Sequence, residues 1–74
     1  MDGFDELANA IVLRAVKDYR MCVQRLKRKP GDRKAAVMKR ECERFFRSAW
    51  FKTLTALDGI ALLQTLKEEG QNDD

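Results

Sequence analysis

The stretch Glu41–Gly59, ECERFFRSAWFKTLTALDG, decides how this chain of 74 residues folds. It contains four of the six aromatic residues in the chain, Phe45, Phe46, Trp50 and Phe51. Because large rings supply the most apolar surface to a core, the flanking segments are predicted to pack around them. A chain this short forms one domain, and size scaling predicts that it buries about 60–65% of its unfolded surface.

The segment before this stretch has the apolar periodicity of one long amphipathic helix. Its apolar residues recur every three or four positions, which places them on one helical face. They are Phe4, Ala8, Ile11, Val12, Ala15, Val16, Tyr19, Cys22, Val23 and Leu26. Pro30 and Gly31 end this helix, and Asp32 is expected to cap a second one. So short a connection predicts an antiparallel helical hairpin.

The second helix leads into a segment whose boundaries the sequence leaves open. Its predicted buried stripe is Ala35, Met38, Cys42, Phe45 and Ala49, widened by Phe46 and Trp50. Ser48 either caps a new short helix or lies inside the second helix, so a bend is expected between residues 47 and 59. Thr55–Asp58 resembles a capping box, and Asp58 with Gly59 is an alternative cap for the last helix.

The last helix carries Ile60, Leu62, Leu63 and Leu66 and is predicted to end at Gly70. We therefore predict an all-α fold built on the helical hairpin. It has three helices, or four if residues 48–54 form a short helix of their own. Residues 1–70 make one helical domain, and residues 71–74 are predicted to be a disordered acidic tail.

The net charge of +3 is unevenly distributed along the chain. Residues 1–13 carry three acids and no base, and residues 53–74 carry five acids and one base. Residues 14–52 carry 14 bases and four acids, a net charge of +10. This asymmetry points to an anionic partner for the middle of the chain, either nucleic acid or an acidic protein surface.

Six bases meet at the hairpin turn, and we call this set the basic pole. It consists of Arg25, Lys27, Arg28, Lys29, Arg33 and Lys34. The first four are explained by a helix C-terminus, where cations are favoured, so a merely solvated basic end is one interpretation. Arg33 and Lys34 stand in a first turn, where positive charge is unfavourable. An anion or nucleic-acid site is the other interpretation.

A second basic group, the arginine row, consists of Arg40, Arg44 and Arg47 on the outer side of the second helix. Glu43 is placed to pair with Lys39 or Arg47, as in an ordinary solvated helix face. The alternative is that the arginine row continues the basic pole along several phosphates.

The aromatic residues favour a core over a base-stacking surface, because they follow the buried helical stripe. Four rings in seven positions cannot all face inward. Phe46 or Phe51 is therefore expected to be partly exposed, which makes both of them candidate contacts for a protein partner or a second copy.

Catalysis, metal binding and membrane insertion receive no support from the sequence. The chain has no histidine, and its two cysteines, Cys22 and Cys42, lie far apart without the spacing of a zinc site. Both are expected to be small core residues. We predict a non-enzyme without metal or cofactor. The lack of a long apolar run or a signal peptide predicts a cytoplasmic location.

The run Glu41–Ser48, followed by Trp50-Phe51 and Leu57–Gly59, resembles a small uncharacterised family encoded by phages and mobile elements of Gram-positive bacteria. That resemblance implies an accessory protein that binds nucleic acid or redirects a host protein, and it assigns no site residues. We therefore expect a non-catalytic module that contacts nucleic acid or a nucleoprotein complex through the basic pole. The alternatives are a modulator or inhibitor of a host protein, and a homo-oligomeric structural protein, including a homodimer.

Overall fold

A computed structural model describes the backbone of residues 2–71 and the side chains of residues 6–70. Over this range the chain forms four α-helices: α1 (Asp2–Arg28), α2 (Arg33–Phe46), α3 (Ala49–Leu54) and α4 (Gly59–Gln71). The all-α prediction is confirmed. The additional short helix that was an alternative for residues 48–54 is present and forms α3. At 1.5 Å per residue the 27 residues of α1 account for most of the 42 Å long axis of the molecule.

The hairpin between α1 and α2 forms as the sequence predicts. The Asp32 side chain accepts a hydrogen bond from the Ala35 amide at 3.1 Å and caps α2. Its second carboxylate oxygen, Oδ2, lies 2.9 Å from Nε of Arg25, near the end of α1. Asp32 therefore both starts α2 and ties it to α1.

Ser48 separates α2 from α3 and closes both ends of the break. Its hydroxyl donates to the Phe45 carbonyl at 2.7 Å and accepts from the Phe51 amide at 3.1 Å. The first bond satisfies a carbonyl at the end of α2, and the second caps the start of α3. Of the two alternatives for Ser48, the structure contains the cap of a short helix.

Asp58 is the residue that caps α4. Its Oδ1 accepts hydrogen bonds from the amides of Ile60 at 3.0 Å and Ala61 at 3.2 Å. The Thr55 hydroxyl instead accepts a hydrogen bond from the Leu57 amide at 3.2 Å, within the loop before α4. Of the two predicted caps for the last helix, the one observed is therefore Asp58 followed by Gly59, and not the capping box at Thr55–Asp58.

The core is a cluster in which all four helices take part. Helix α1 supplies Val12 and Tyr19, and α4 supplies Leu63 and Leu66. Helices α2 and α3 supply the phenylalanine rings. At its centre the rings of Phe46 and Phe51 pack edge to face, 5.7 Å between centroids, and Tyr19 packs edge to face on Phe46 at 6.3 Å. Such pairs contribute about 0.5–1.5 kcal/mol beyond their buried area.

Phe46 and Phe51 are 1% and 0% exposed, so the prediction that one of them is partly exposed is wrong. The exposed ring is Trp50, at 58%. The physical reason is the break at Ser48: α3 starts a new helical phase, which turns Phe51 inward and Trp50 outward. Phe46 lies four residues after Cys42 and therefore continues the buried face of α2.

Three other positions of the predicted core are exposed. Met38 of α2 is 47% exposed, and Ala49 at the start of α3 and Ile60 at the start of α4 are also exposed. On α1 the predicted face is correct, because the described residues of that face are buried or half-buried. The side chain of Phe4 and residues 72–74 of the predicted disordered tail lie outside the described residues, whereas Gln71, the first residue of that predicted tail, is the last residue of α4.

The C-terminal end of α4 is fastened to α1. Arg20 of α1 binds the Glu69 carboxylate through two hydrogen bonds, of 3.1 and 3.0 Å. Gly70 lies inside α4 and not at its C-cap, because the helix continues to Gln71. A Cβ on Gly70 would come within 3.0 Å of Cγ1 of Val23, so the small residue lets the two helices approach.

Gly59 allows a close approach between the start of α4 and the end of α2. A Cβ at this position would overlap the Phe46 carbonyl oxygen and lie 3.0 Å from Cδ1 of Phe51. The first turn of α4 therefore rests directly on the backbone at the end of α2, and glycine is the residue that fits there.

We predict that Gly59→Ala destabilises the protein by about 1–3 kcal/mol, because the added methyl group forces backbone to move in a packed core. Gly31→Ala is the matched control, since nothing lies within 4 Å of a Cβ there. It should be neutral or stabilise the fold by up to about 1 kcal/mol. Urea unfolding followed by circular dichroism measures both, and equal stability of the two variants would contradict the packing we describe.

Candidate functional site

The basic pole forms at the turn as predicted, although its members are not equivalent. All six of its residues are exposed. Arg25 is held by Asp32, and the pKa of Asp32 is lowered first by the hydrogen bond from the Ala35 amide and then by Arg25. The charge of Arg25 is therefore largely matched within the turn.

Arg33 and Lys34 have no such match. They open α2, whose first turn contains no acidic residue, and they form no ion pair within the side chains described. Positive charge at a helix N-terminus opposes the helix dipole. No interaction among the described residues of the folded protein therefore accounts for the positive charges of Arg33 and Lys34, which agrees with the prediction from the sequence.

The arginine row and Arg33 share one face of α2. At 3.6 residues per turn, Arg33, Arg40, Arg44 and Arg47 fall within about 60° of one another. Ala35, Cys42 and Phe46, the buried residues of this helix, lie on the opposite side. Over 14 residues this line of arginines is roughly 21 Å long. Arg33 therefore joins the basic pole to the arginine row.

Glu43 does not neutralise the arginine row, because its side chain turns inward. It accepts hydrogen bonds from the Tyr19 hydroxyl at 3.0 Å and from Nζ of Lys39 at 2.9 Å. The Lys39 ammonium also lies 5.6 Å from the centroid of the Tyr19 ring. Of the two partners predicted for Glu43, Lys39 is the one observed. The arginines, which are exposed, are left without a carboxylate among the residues described.

The pKa values of this partly buried network follow from its hydrogen bonds. Partial burial acts to raise the pKa of Glu43, but the hydrogen bonds from Lys39 and Tyr19 outweigh burial, so the pKa lies below its ordinary value. Burial, followed by the bond to Glu43, raises the pKa of the Tyr19 hydroxyl. Glu43 is thus a fixed anion and Tyr19 a fixed donor.

Both cysteines are buried free thiols, as predicted. Burial, followed by the proximity of Cys22, raises the pKa of Cys42 to about 11. Burial also raises the pKa of Cys22. Neither thiol has the lowered pKa that marks a reactive cysteine.

A groove beside the basic pole was not predicted from the sequence. It lies between α1 and α2, has a volume of about 340 Å³, and is lined by Met21 and Met38 over Cys22 and Ala35. The sequence pattern predicts that Met38 is part of the core, and it does not include Met21 in the apolar face of α1. The available signal was the position of Met21 next to Cys22, at the edge of the buried face of α1.

Comparisons with protein-family models, curated proteins and solved structures gave no match to this chain. Between residues 2 and 71 no helix has the length and apolar character needed to cross a membrane.

We predict that acid weakens the fold partly through Glu43. The folded pKa of Glu43 lies below its ordinary value of 4.5, so the unfolded chain binds more protons between the two values. The contribution of ionised Glu43 to the free energy of unfolding is therefore complete above about pH 5, and it is lost as the pH falls through the pKa that Glu43 has in the folded protein. Glu43→Gln should lose about 1–2 kcal/mol at pH 7 and should depend less on pH.

Glu41→Gln is the control for this prediction, because Glu41 is exposed and forms no ion pair among the described residues. It should leave both the stability and the acid dependence of the wild-type protein unchanged. Urea unfolding at pH 7 and at several lower pH values compares the three proteins. A common pH profile for the two variants would show that the network of Glu43, Tyr19 and Lys39 does not stabilise the fold.

Proposed function

We propose that this protein is a non-catalytic accessory module that binds nucleic acid, alone or in a nucleoprotein complex, through α2 and the hairpin turn. The observation that carries the proposal is the line of four arginines, Arg33 with the arginine row, on the face of α2 opposite the core. They have no carboxylate partners among the described side chains, and they run into the basic pole.

The length of this line suits a phosphate backbone. Phosphates follow one another about every 3.4 Å along the axis of each strand, so roughly 21 Å of helix faces about six of them. Arginine binds phosphate through two parallel N–H donors, which gives geometric selectivity as well as charge. Binding would also relieve the repulsion among neighbouring arginines by supplying the missing counter-charge.

The chemistry of the remaining groups supports a binding role. The Ser48 hydroxyl is engaged at both of its hydrogen-bonding functions by the cap between α2 and α3. The thiols of Cys22 and Cys42 are buried with raised pKa values. A pair of reduced cysteines also suits the cytoplasm, where we place the protein. The resemblance to a phage-encoded family agrees with this role and stays a prediction.

We predict salt-dependent binding of labelled duplex and single-stranded DNA in fluorescence anisotropy. Each phosphate contact lowers the slope of log K against log salt by about 0.9 for a duplex and about 0.7 for a single strand. Substituting the three residues of the arginine row by Gln should reduce the magnitude of the duplex slope by about three. Replacing Arg28, Arg33 and Lys34 by Ala should weaken binding similarly.

A matched control removes three other exposed positive charges by substituting Arg14, Lys17 and Lys52 with Gln. Its net charge equals that of the other variants, so it should retain affinity within about threefold. Equal losses in all three variants would mean that net charge, and not this face of α2, attracts the DNA. Absence of binding by the wild-type protein at low salt would overturn the proposal.

A further inference from the structure

An apolar strip crosses the hairpin beside the basic pole. The groove between α1 and α2 is continuous with a second depression on α2, because Lys34 and Met38 line both. Three large apolar side chains are exposed along the strip: Met21 at 64%, Val37 at 49% and Met38 at 47%. Exposed apolar side chains grouped along a groove are a feature of protein-interaction sites.

The floor and rim of the strip have different characters. The floor is made of Cys22 and Ala35, two small buried residues that leave room for an incoming side chain. At the rim near the turn, Arg33 and Lys34 carry positive charge that has no partner among the described side chains, whereas Arg25 is matched by Asp32. The strip is therefore apolar at its centre and has an excess of positive charge at the rim near the turn, where Glu41 is the one acidic residue that lines the depression on α2.

We propose that this groove binds an acidic amphipathic helix of a partner protein. Apolar side chains at three- and four-residue spacing would enter between Met21 and Met38, which is the usual way that a helix occupies a groove. Methionine suits this use because its unbranched, polarisable side chain adapts to different partners. Glutamates or aspartates flanking the apolar stripe would meet Arg33 and Lys34.

Charge selects this occupant over a second copy of the chain. Two copies packed through this groove would each bring the same excess of positive charge to the interface, and like charges in an interface are costly. Nucleic acid is also disfavoured, since phosphates gain nothing from exposed methionines. Met38 lies roughly 140° around α2 from Arg33, away from the arginine row. The apolar part of the groove is therefore separate from the arginine row, although the two proposed surfaces share Arg33 and Lys34.

The test uses protein labelled with ¹³C in its methionine methyl groups, with Met21 and Met38 assigned through Leu substitutions. The probe is a synthetic helical peptide of about 15 residues, with leucine at three- and four-residue spacing and glutamate on the remaining face. We expect saturable shifts of both methyl signals that weaken with added salt. The same peptide with lysine in place of glutamate should cause none.

Variants separate this site from the nucleic-acid surface. Met21→Gln with Met38→Gln changes exposed side chains without changing charge, so the helical content should stay intact while peptide affinity falls at least tenfold. Binding of duplex DNA should change less than twofold, and the peptide result can be read even if DNA does not bind. Either of two outcomes would overturn the proposal: no saturable shift at millimolar peptide, or equal shifts with the lysine peptide.

Discussion

The contact of Gly59 with the Phe46 carbonyl is the constraint on which the rest of the fold depends. With no side chain at residue 59, α4 starts on the backbone of α2 and carries Leu63 and Leu66 over the aromatic cluster. Phe51, which has no exposed surface, is enclosed in the same place. A small domain has few alternative ways to close a core, so one close approach determines where three helices meet.

This closure also determines which charges remain available on the surface. Because α2 buries Ala35, Cys42 and Phe46, its opposite face is exposed to solvent. Glu43, which could have formed an ion pair with the arginine row, instead accepts hydrogen bonds from Tyr19 and Lys39 on the inner side of the helix. The unmatched positive face of α2 is thus a direct consequence of how its inner side packs.

Sequence periodicity was sufficient for the buried face of α1. The buried face of α1 and the cap at Asp32 could be predicted because each depends on local spacing and local hydrogen bonds. Trp50 and Phe51 could not be assigned, since the two hydrogen bonds of Ser48 reset the helical phase, and the sequence allowed Ser48 either role. The basic pole was predictable from the turn alone. The groove at Met21 and Met38 was not, because it depends on how far the two helices of the hairpin stand apart at small residues.

The two proposed surfaces share Arg33 and Lys34, and that sharing links them. Both ligands are anionic, so either one would neutralise charge on which the other depends. Binding at two sites that draw on the same charges is coupled, and the coupling must be equal in both directions. If both proposals hold, a partner helix in the groove weakens the hold on nucleic acid near the turn, while Arg40, Arg44 and Arg47 remain free to keep their contacts. The position of these two bases, between an apolar groove and a line of arginines, would then make the hairpin turn the place where one partner influences the other.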